Sequence, residues 1–318
     1  MAFKESEKLE LKKSTSELKE AIISVSSILN KHQKGELYFG IKNDGTIVGQ
    51  NVSEQTILEN LFLKKKKVSW EEGASEKTIR DVNEDAVKNF VTKANKANRI
   101  NFTFSDVESI LNKLNLIKDD MLLRAVDVLF CDNNSLEVQA AVFAGVDKLT
   151  FLDIKQFKGN IFNLLEQSES YIKEHMNWRA KFVGRERVEI PEVPVRAITE
   201  AIVNSLCHRD YNNPKGNEIA IFKDRIEIYN PGQFPEEYSP FDFIKGEERS
   251  ILRNPLIAHT LYLSKEIERW GSGIRRIYEE CEKQNVKVEF KKLKSGFVVV
   301  FYRMEKVGEE VVRNGGQN

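Results

Sequence analysis

Apolar positions along the chain recur at two periods, and the switches between them outline its elements. Leu18, Ala21, Ile22, Val25, Ile28 and Leu29 repeat at helical spacing, after a short extended piece at Leu9–Lys12. Leu37, Phe39 and Ile41 then alternate as a strand. Gly45 closes an Asn43-Asp44-Gly45 turn, and Thr46–Gln50 returns. Residues 53–62, 83–97 and 105–114 read as helices, the last opening with a capping-box pattern at Ser105-Asp-Val-Glu108. Strands are expected at Leu122–Cys131 and Val138–Ala144. Phe157, Ile161, Leu164, Leu165 and Ile172 mark a long helix. The polar stretch 182–194, with two prolines, reads as a linker.

Beyond it, Val195, Ile198, Ile202 and Leu206 line one face of a helix that starts after Pro194. A hairpin follows at 218–223 and 225–229, then a loop rich in Pro, Gly and acidic residues from Asn230 to Gly246. Pro255–Leu263 and Gly273–Gln284 are expected helices. Val286–Leu293 and Phe297–Arg303 form a closing hairpin over Lys294-Ser295-Gly296, and the polar stretch 305–318 is expected to fray.

Length changes this picture by implying about two domains in 318 residues. The chain is 41% apolar and 31% charged, enough to bury real cores. Its 49 basic and 49 acidic residues cancel, so a nucleic-acid partner would need a local basic patch. Lys64-Lys65-Lys66-Lys67 is the strongest such run; it is either a solvated loop tip or a phosphate contact. Three separated cysteines without a CxxC give neither a disulfide framework nor a zinc site. No apolar run reaches the ~20 residues of a membrane span. The charged N-terminus does not read as a signal peptide, so a soluble cytoplasmic protein is expected.

Candidate chemistry gathers in the second half. Glu200 and Asn204, four residues apart on a helix, share a face that His208 extends. A Glu can serve as base for a water, and an Asn oxygen can hold a hard cation beside a phosphate. A solvated helix face is the plain alternative for this segment alone. Downstream come Asn230-Pro231-Gly232 directly after a strand, Arg253-Asn254-Pro255, and Gly271-Ser272-Gly273 opening a helix. Glycines before a helix let backbone N–H groups approach an anion. Gly232 would let a ligand ring lie close to main chain.

In this order, these features resemble the ATP-binding fold shared by gyrase B subunits, MutL, heat-shock chaperones and histidine kinases (the GHKL fold). The resemblance covers residues 195–303 and is closest to a divergent branch found in helicase-like proteins and transcription regulators. It implies ATP and Mg²⁺ as cofactors. It makes Glu200 the water-activating base and Asn204 the Mg²⁺ ligand. It places His208, Asn230, Gly232, Arg253, Gly271 and Gly273 at the nucleotide, with residues 233–252 as a lid. The sequence departs from the family at Asn230, where an Asp is usual, and at Gln233, where a glycine is usual. No GxxxxGK[ST] loop occurs, so no P-loop motor is implied.

In the first half, Glu5-Ser-Glu-Lys-Leu-Glu10-Leu-Lys12 and Gly35-Glu-Leu-Tyr-Phe-Gly40-Ile-Lys-Asn-Asp44-Gly45-Thr-Ile-Val-Gly49 resemble the AlbA_2 domain shared with Schlafen proteins. The resemblance implies nucleic-acid binding, with Lys12, Lys13 and Lys64–Lys67 facing phosphates. Some Schlafen members are metal-dependent RNA endonucleases. Glu5 and Glu10 match their glutamates in spacing. Asn43 or the neighbouring Asp44 would be the third ligand, for Mg²⁺ or Mn²⁺.

The expectation is therefore an α+β protein: an AlbA_2-like module over 1–115, connecting strands and a long helix over 116–190, a GHKL-like α/β sandwich over 191–304, and a tail over 305–318. Helices would cover one face of a mixed, mostly antiparallel sheet. Two functions stay open. One is a nucleotide-responsive, nucleic-acid-binding protein, a DNA-binding transcription regulator. The other is a Schlafen-like nuclease gated by nucleotide. The resemblance also implies a homo-oligomer.

Overall fold

The computed structural model describes residues 6–7, 9–14, 17–32, 36–49, 69–249, 251–267 and 273–303. The chain divides into two compact units, Met1–Lys67 and Val68–Asn318.

In the first unit, β1 (Leu9–Lys12) and β2 (Glu36–Phe39) pair in parallel, with Leu11 opposite Tyr38. Parallel strands need a crossover, and α1 (Leu18–His32) supplies it. Leu11, Ala21, Ile28 and Ile41 are its buried apolar residues among those described. The turn after β2 forms as expected: the Gly45 N–H donates to the Lys42 carbonyl at 2.8 Å, with Gly45 at φ 86°. The returning strand shrinks to a single bridge between Ile41 and Ile47. The helix expected at 53–62 lies outside the described residues.

The second unit opens with α2 (Glu84–Lys96), α3 (Val107–Lys113), the short pair β3 (Ile117–Lys118) and β4 (Met121–Leu122), and α4 (Arg124–Phe130). Next come β5 (Glu137–Phe143), β6 (Phe151–Lys158) and α5 (Ile161–His175). A hairpin of β7 (Trp178–Val183) and β8 (Glu186–Pro191) precedes α6 (Val195–Cys207). Then follow β9 (Asn217–Ile221), β10 (Arg225–Asn230), α7 (Pro240–Lys245), α8 (Pro255–Leu263), α9 (Gly273–Lys283), β11 (Val288–Leu293) and β12 (Gly296–Tyr302).

Six strands form one sheet in the order β11-β12-β10-β9-β5-β6. Only β5 and β9 pair in parallel. Val138, Ala140, Ile219, Ile221, Ile226, Ile228, Val299 and Phe301 turn one face of that sheet to the helices, in a core with Ile198, Ile202, Leu206 and Ile277. The fold class is thus α+β, with a mostly antiparallel mixed sheet.

Several sequence expectations shift. Residues 116–190, expected as connecting strands and a long helix, supply β5 and β6 of the sheet and α5. The strand expected at 122–131 is mostly α4: Ala125, Val126, Val128, Leu129 and Phe130 are all buried, and a short run apolar on every side has no readable period. Strand β6 was not expected, because its residues are largely exposed and do not alternate cleanly. The linker at 182–194 is largely the β7–β8 hairpin. Gly184 at φ 64° heads its two-residue turn. Helix α3 is capped by Asp106, whose carboxylate accepts from the Ser109 N–H at 2.7 Å, one residue later than expected.

Candidate functional site

The site is built on α6. Its apolar side is buried, and the stripe one turn apart on another side carries Glu200 and Asn204. Glu200 is not a solvated helix residue: it is only 8% exposed and pairs with Arg276 of α9 at 2.8 Å. Burial pushes its carboxyl pKa up, and the Arg276 charge works against that rise.

Helix α9 starts against this pair. A Cβ built on Gly273 would lie 2.6 Å from Asn204 Nδ2 and 2.9 Å from Glu200 Oε1. Only a glycine lets the first turn of α9 come so near. Asn204 Nδ2 is buried without a hydrogen bond of full geometry. It sits close enough to Glu200 to help hold that carboxyl pKa down.

A cavity of about 290 Å³ opens beside them, bordered by Asn204, His208, Asn230, Gly232, Arg253 and Gly273. Six of the residues expected at a nucleotide therefore meet at one cavity, although they come from separate segments of the chain. Glu200 lies immediately behind, through its contact distance to Gly273. Phe234 and Phe297 add an aromatic wall, stacked with ring centroids 5.0 Å apart.

Each polar group there has a defined role in the structure. His208 caps α6 and donates its N–H to the Asn204 carbonyl at 2.9 Å. Burial, and then the nearby Arg253 charge, push its ring pKa down to about 4, so it is neutral at pH 7. Asn230, at the end of β10, accepts from the Gly232 N–H at 2.8 Å. Its oxygen thus shapes the turn at the cavity's border.

Gly232 is required for a reason the sequence did not give. A Cβ there would lie 2.2 Å from the His208 carbonyl oxygen, so the close approach is to the end of α6. Arg253 donates to the Gln233 carbonyl at 2.6 Å and ties down the loop that leaves the cavity. Within 233–252, α7 forms a short helix capped by Ser239 and ended by Gly246 at φ 79°. Gly271 lies outside the described residues.

Sequence reasoning missed Arg276, Phe234 and Phe297. Asn254 stood in the Arg253-Asn254-Pro255 motif without a role; its Nδ2 donates to the Cys207 and Arg209 carbonyls and closes the end of α6. Arg276 had a signal: it stands one helical turn after Gly273, on the side of α9 that meets α6. The aromatic pair had none, because Phe234 and Phe297 meet only in the folded chain.

In the first unit, Glu10 on β1 pairs with Lys12 at 2.8 Å. That bond to Glu10 raises the Lys12 pKa. Lys13 is exposed. Asp44 accepts from the Thr46 N–H at 2.8 Å, and its pKa is lowered by Thr46. Glu5 and Lys64–Lys67 lie outside the described residues. Among the described residues no three His, Cys, Asp or Glu groups gather as a metal cluster.

Comparison with known families then bears on both units. Residues 5–118 match the family model "Schlafen, AlbA_2", and residues 215–301 match "Putative ATP-dependent DNA helicase recG C-terminal". The chain is similar to these two families, in the order its motifs imply. The two matches associate it with nucleic-acid-related, ATP-binding proteins. The AlbA_2 match runs beyond the end of the first unit. The recG C-terminal match starts after α6, so Glu200 and Asn204 lie outside it and rest on the geometry above.

A crystal structure of the DIP2311 protein from Corynebacterium diphtheriae shares the fold. It superposes with a TM-score of 0.63 at 17% identity, over 77% of this chain and 49% of that one. The chain thus corresponds to about half the length of that protein. No curated protein matches. No helix of the described residues is long and apolar enough to cross a membrane.

Proposed function

We propose that the second unit binds ATP with Mg²⁺ in the cavity beside α6, and that the nucleotide tunes nucleic-acid binding by the protein. The observation that carries this reading is the contact of Gly273 with Asn204 and Glu200 at the edge of that cavity. A glycine-started helix presents free N–H groups to a phosphate. The unpartnered Asn204 Nδ2 is a donor and suits an acceptor such as a phosphate oxygen, while the oxygen of the same amide would be the Mg²⁺ ligand. Bound Mg²⁺ would neutralise phosphate charge. Asn230, Gly232 and the Phe234–Phe297 wall suit the base, with Asn230 a neutral acceptor where the family uses an Asp.

Glu200 is the candidate base for a water, yet Arg276 holds one of its oxygens. The Arg276 charge opposes the rise that burial gives the Glu200 carboxyl and occupies one of the two oxygens a water could use, so this arrangement favours nucleotide binding with slow turnover. A transcription regulator that responds to nucleotide fits these properties, and a homo-oligomer belongs to the same reading. Linkage requires that nucleic acid change nucleotide affinity by the same factor. The nuclease alternative needs Glu10 as a metal ligand, and its ion pair with Lys12 favours the binding reading.

A melting assay of the full chain with ATP and Mg²⁺ tests the cavity. A ligand at a hundred times its Kd stabilises by about 2.7 kcal/mol. The wild-type protein should gain Mg²⁺-dependent stability, and Asn204→Ala should lose most of that gain. A wild-type protein that ignores millimolar ATP, or an Asn204→Ala variant that gains as much, would overturn the assignment.

A further inference from the structure

The β7–β8 hairpin stands apart from the six-stranded sheet, as a two-stranded ribbon of its own. Two-stranded ribbons gain little stability by themselves in water. This one is held at its root. The Glu192 carboxylate accepts from the Asn177 N–H at 2.7 Å and from its side-chain amide at 2.9 Å, and pairs with Arg303 at 2.9 Å. The Trp178 indole donates to the Lys173 carbonyl at 3.0 Å. The root is rigid while the ribbon above it is in solvent.

What the ribbon exposes is specific. Phe182 is 70% exposed and Trp178 42%, and alternation places both on one face. Arg187 lies directly opposite Phe182, so it shares that face. Its ion pair with Glu189, at 3.2 Å, is between exposed groups and holds it weakly. Arg179 and Lys181 occupy the other face, and Arg185 sits in the turn, all exposed. Four basic residues against two acidic ones make a local excess on a chain whose net charge is zero. The Trp178 indole N–H ties the root, but the exposed part of its ring and the whole Phe182 ring pack against nothing that the hairpin needs. That combination fits a ligand that is both anionic and faced with planar rings.

We propose that the β7–β8 hairpin is a contact for single-stranded nucleic acid, with bases against Trp178 and Phe182 and phosphates on its arginines and lysine. This extends the nucleic-acid half of the proposed function to a surface on the second unit. It also places the end of that hairpin, Pro191, three residues before Pro194, the N-cap of the helix that carries Glu200 and Asn204. Duplex readers would need no exposed rings. An acidic protein partner would need the cations alone.

The test uses the full chain and fluorescence anisotropy with a labelled single-stranded RNA, its DNA counterpart and a duplex, across a salt series. Two variants are compared with the wild type: Phe182→Ala, and Lys181→Glu combined with Arg185→Glu. All these side chains are exposed, and circular dichroism confirms that each variant folds. We expect tighter binding to single strands than to duplex. Phe182→Ala should weaken binding about tenfold. The double reversal should flatten the slope of log K against log salt by about 1.4. Wild-type binding with both variants unaltered would overturn the hairpin contact and leave the nucleic-acid reading standing. No binding of any nucleic acid by the wild type would remove both. Equal affinity for duplex, or full competition by poly-glutamate, with Phe182→Ala neutral, would reject base stacking.

Discussion

Replacing Gly273 by alanine tests the site at its tightest point. The added methyl would start 2.6 Å from Asn204 Nδ2 and 2.9 Å from Glu200 Oε1, both well inside contact distance. Two effects oppose each other. Alanine favours a helix over glycine by up to about 1 kcal/mol, and α9 begins at this residue. Against that, overpacking a close contact costs about 1–3 kcal/mol. The atoms met are side-chain ends, so some relief is open to them. Asn204 can turn away, but Glu200 is held by Arg276, and loosening that buried pair adds to the cost. The net expectation is a loss of about 1–2 kcal/mol in stability. The effect on ligand should be larger, because the methyl displaces the amide assigned to Mg²⁺ and pushes the start of α9 off the cavity. Urea unfolding with and without ATP and Mg²⁺ measures both. A Gly273→Ala variant at least as stable as wild type, with its ATP-dependent gain intact, would refute the claim that this contact forms the site.

Two further outcomes follow from single groups. His208 titrates at about 4 when folded against an ordinary 6.5, so the unfolded chain takes up its proton first as pH falls. Stability from this group is complete above pH 6.5 and drains between there and pH 4, by about 2 kcal/mol from pH 7 to pH 5. Urea unfolding at the two pH values should show that loss in the wild type and a smaller one in His208→Gln; equal losses would assign the acid sensitivity elsewhere. Incubation of labelled transfer RNA with the protein and Mg²⁺ or Mn²⁺ should leave it retarded but intact, and Glu10→Gln should behave the same. Cleavage that Glu10→Gln abolishes would instead establish the nuclease.

What could be read in the sequence, and what could not, separates along physical lines. Local periodicity carried α6 and α9, because each sets an apolar side against a more polar one, and the Lys223-Asp224 turn carried the β9–β10 hairpin. It failed at α4, which is buried on nearly all sides, and at β6 and the β7–β8 ribbon, which are buried on almost none. The candidate site follows the same division. Glu200 and Asn204 were visible as a four-residue spacing within one helix, and Asn230 and Gly273 because they mark the end of a strand and the start of a helix. Their reasons were not visible. Gly232 is a glycine because the His208 carbonyl passes 2.2 Å from where its Cβ would be, a contact between residues 24 apart. Arg276 matters because α9 crosses α6 at Gly273; its place one turn after Gly273 is readable in the sequence, but the crossing is not. The ribbon shows the converse. Its basic and aromatic residues read as an unpatterned polar linker because no core selects their alternation. A segment that folds without a core and still leaves Phe182 70% exposed presents that ring to something outside the fold.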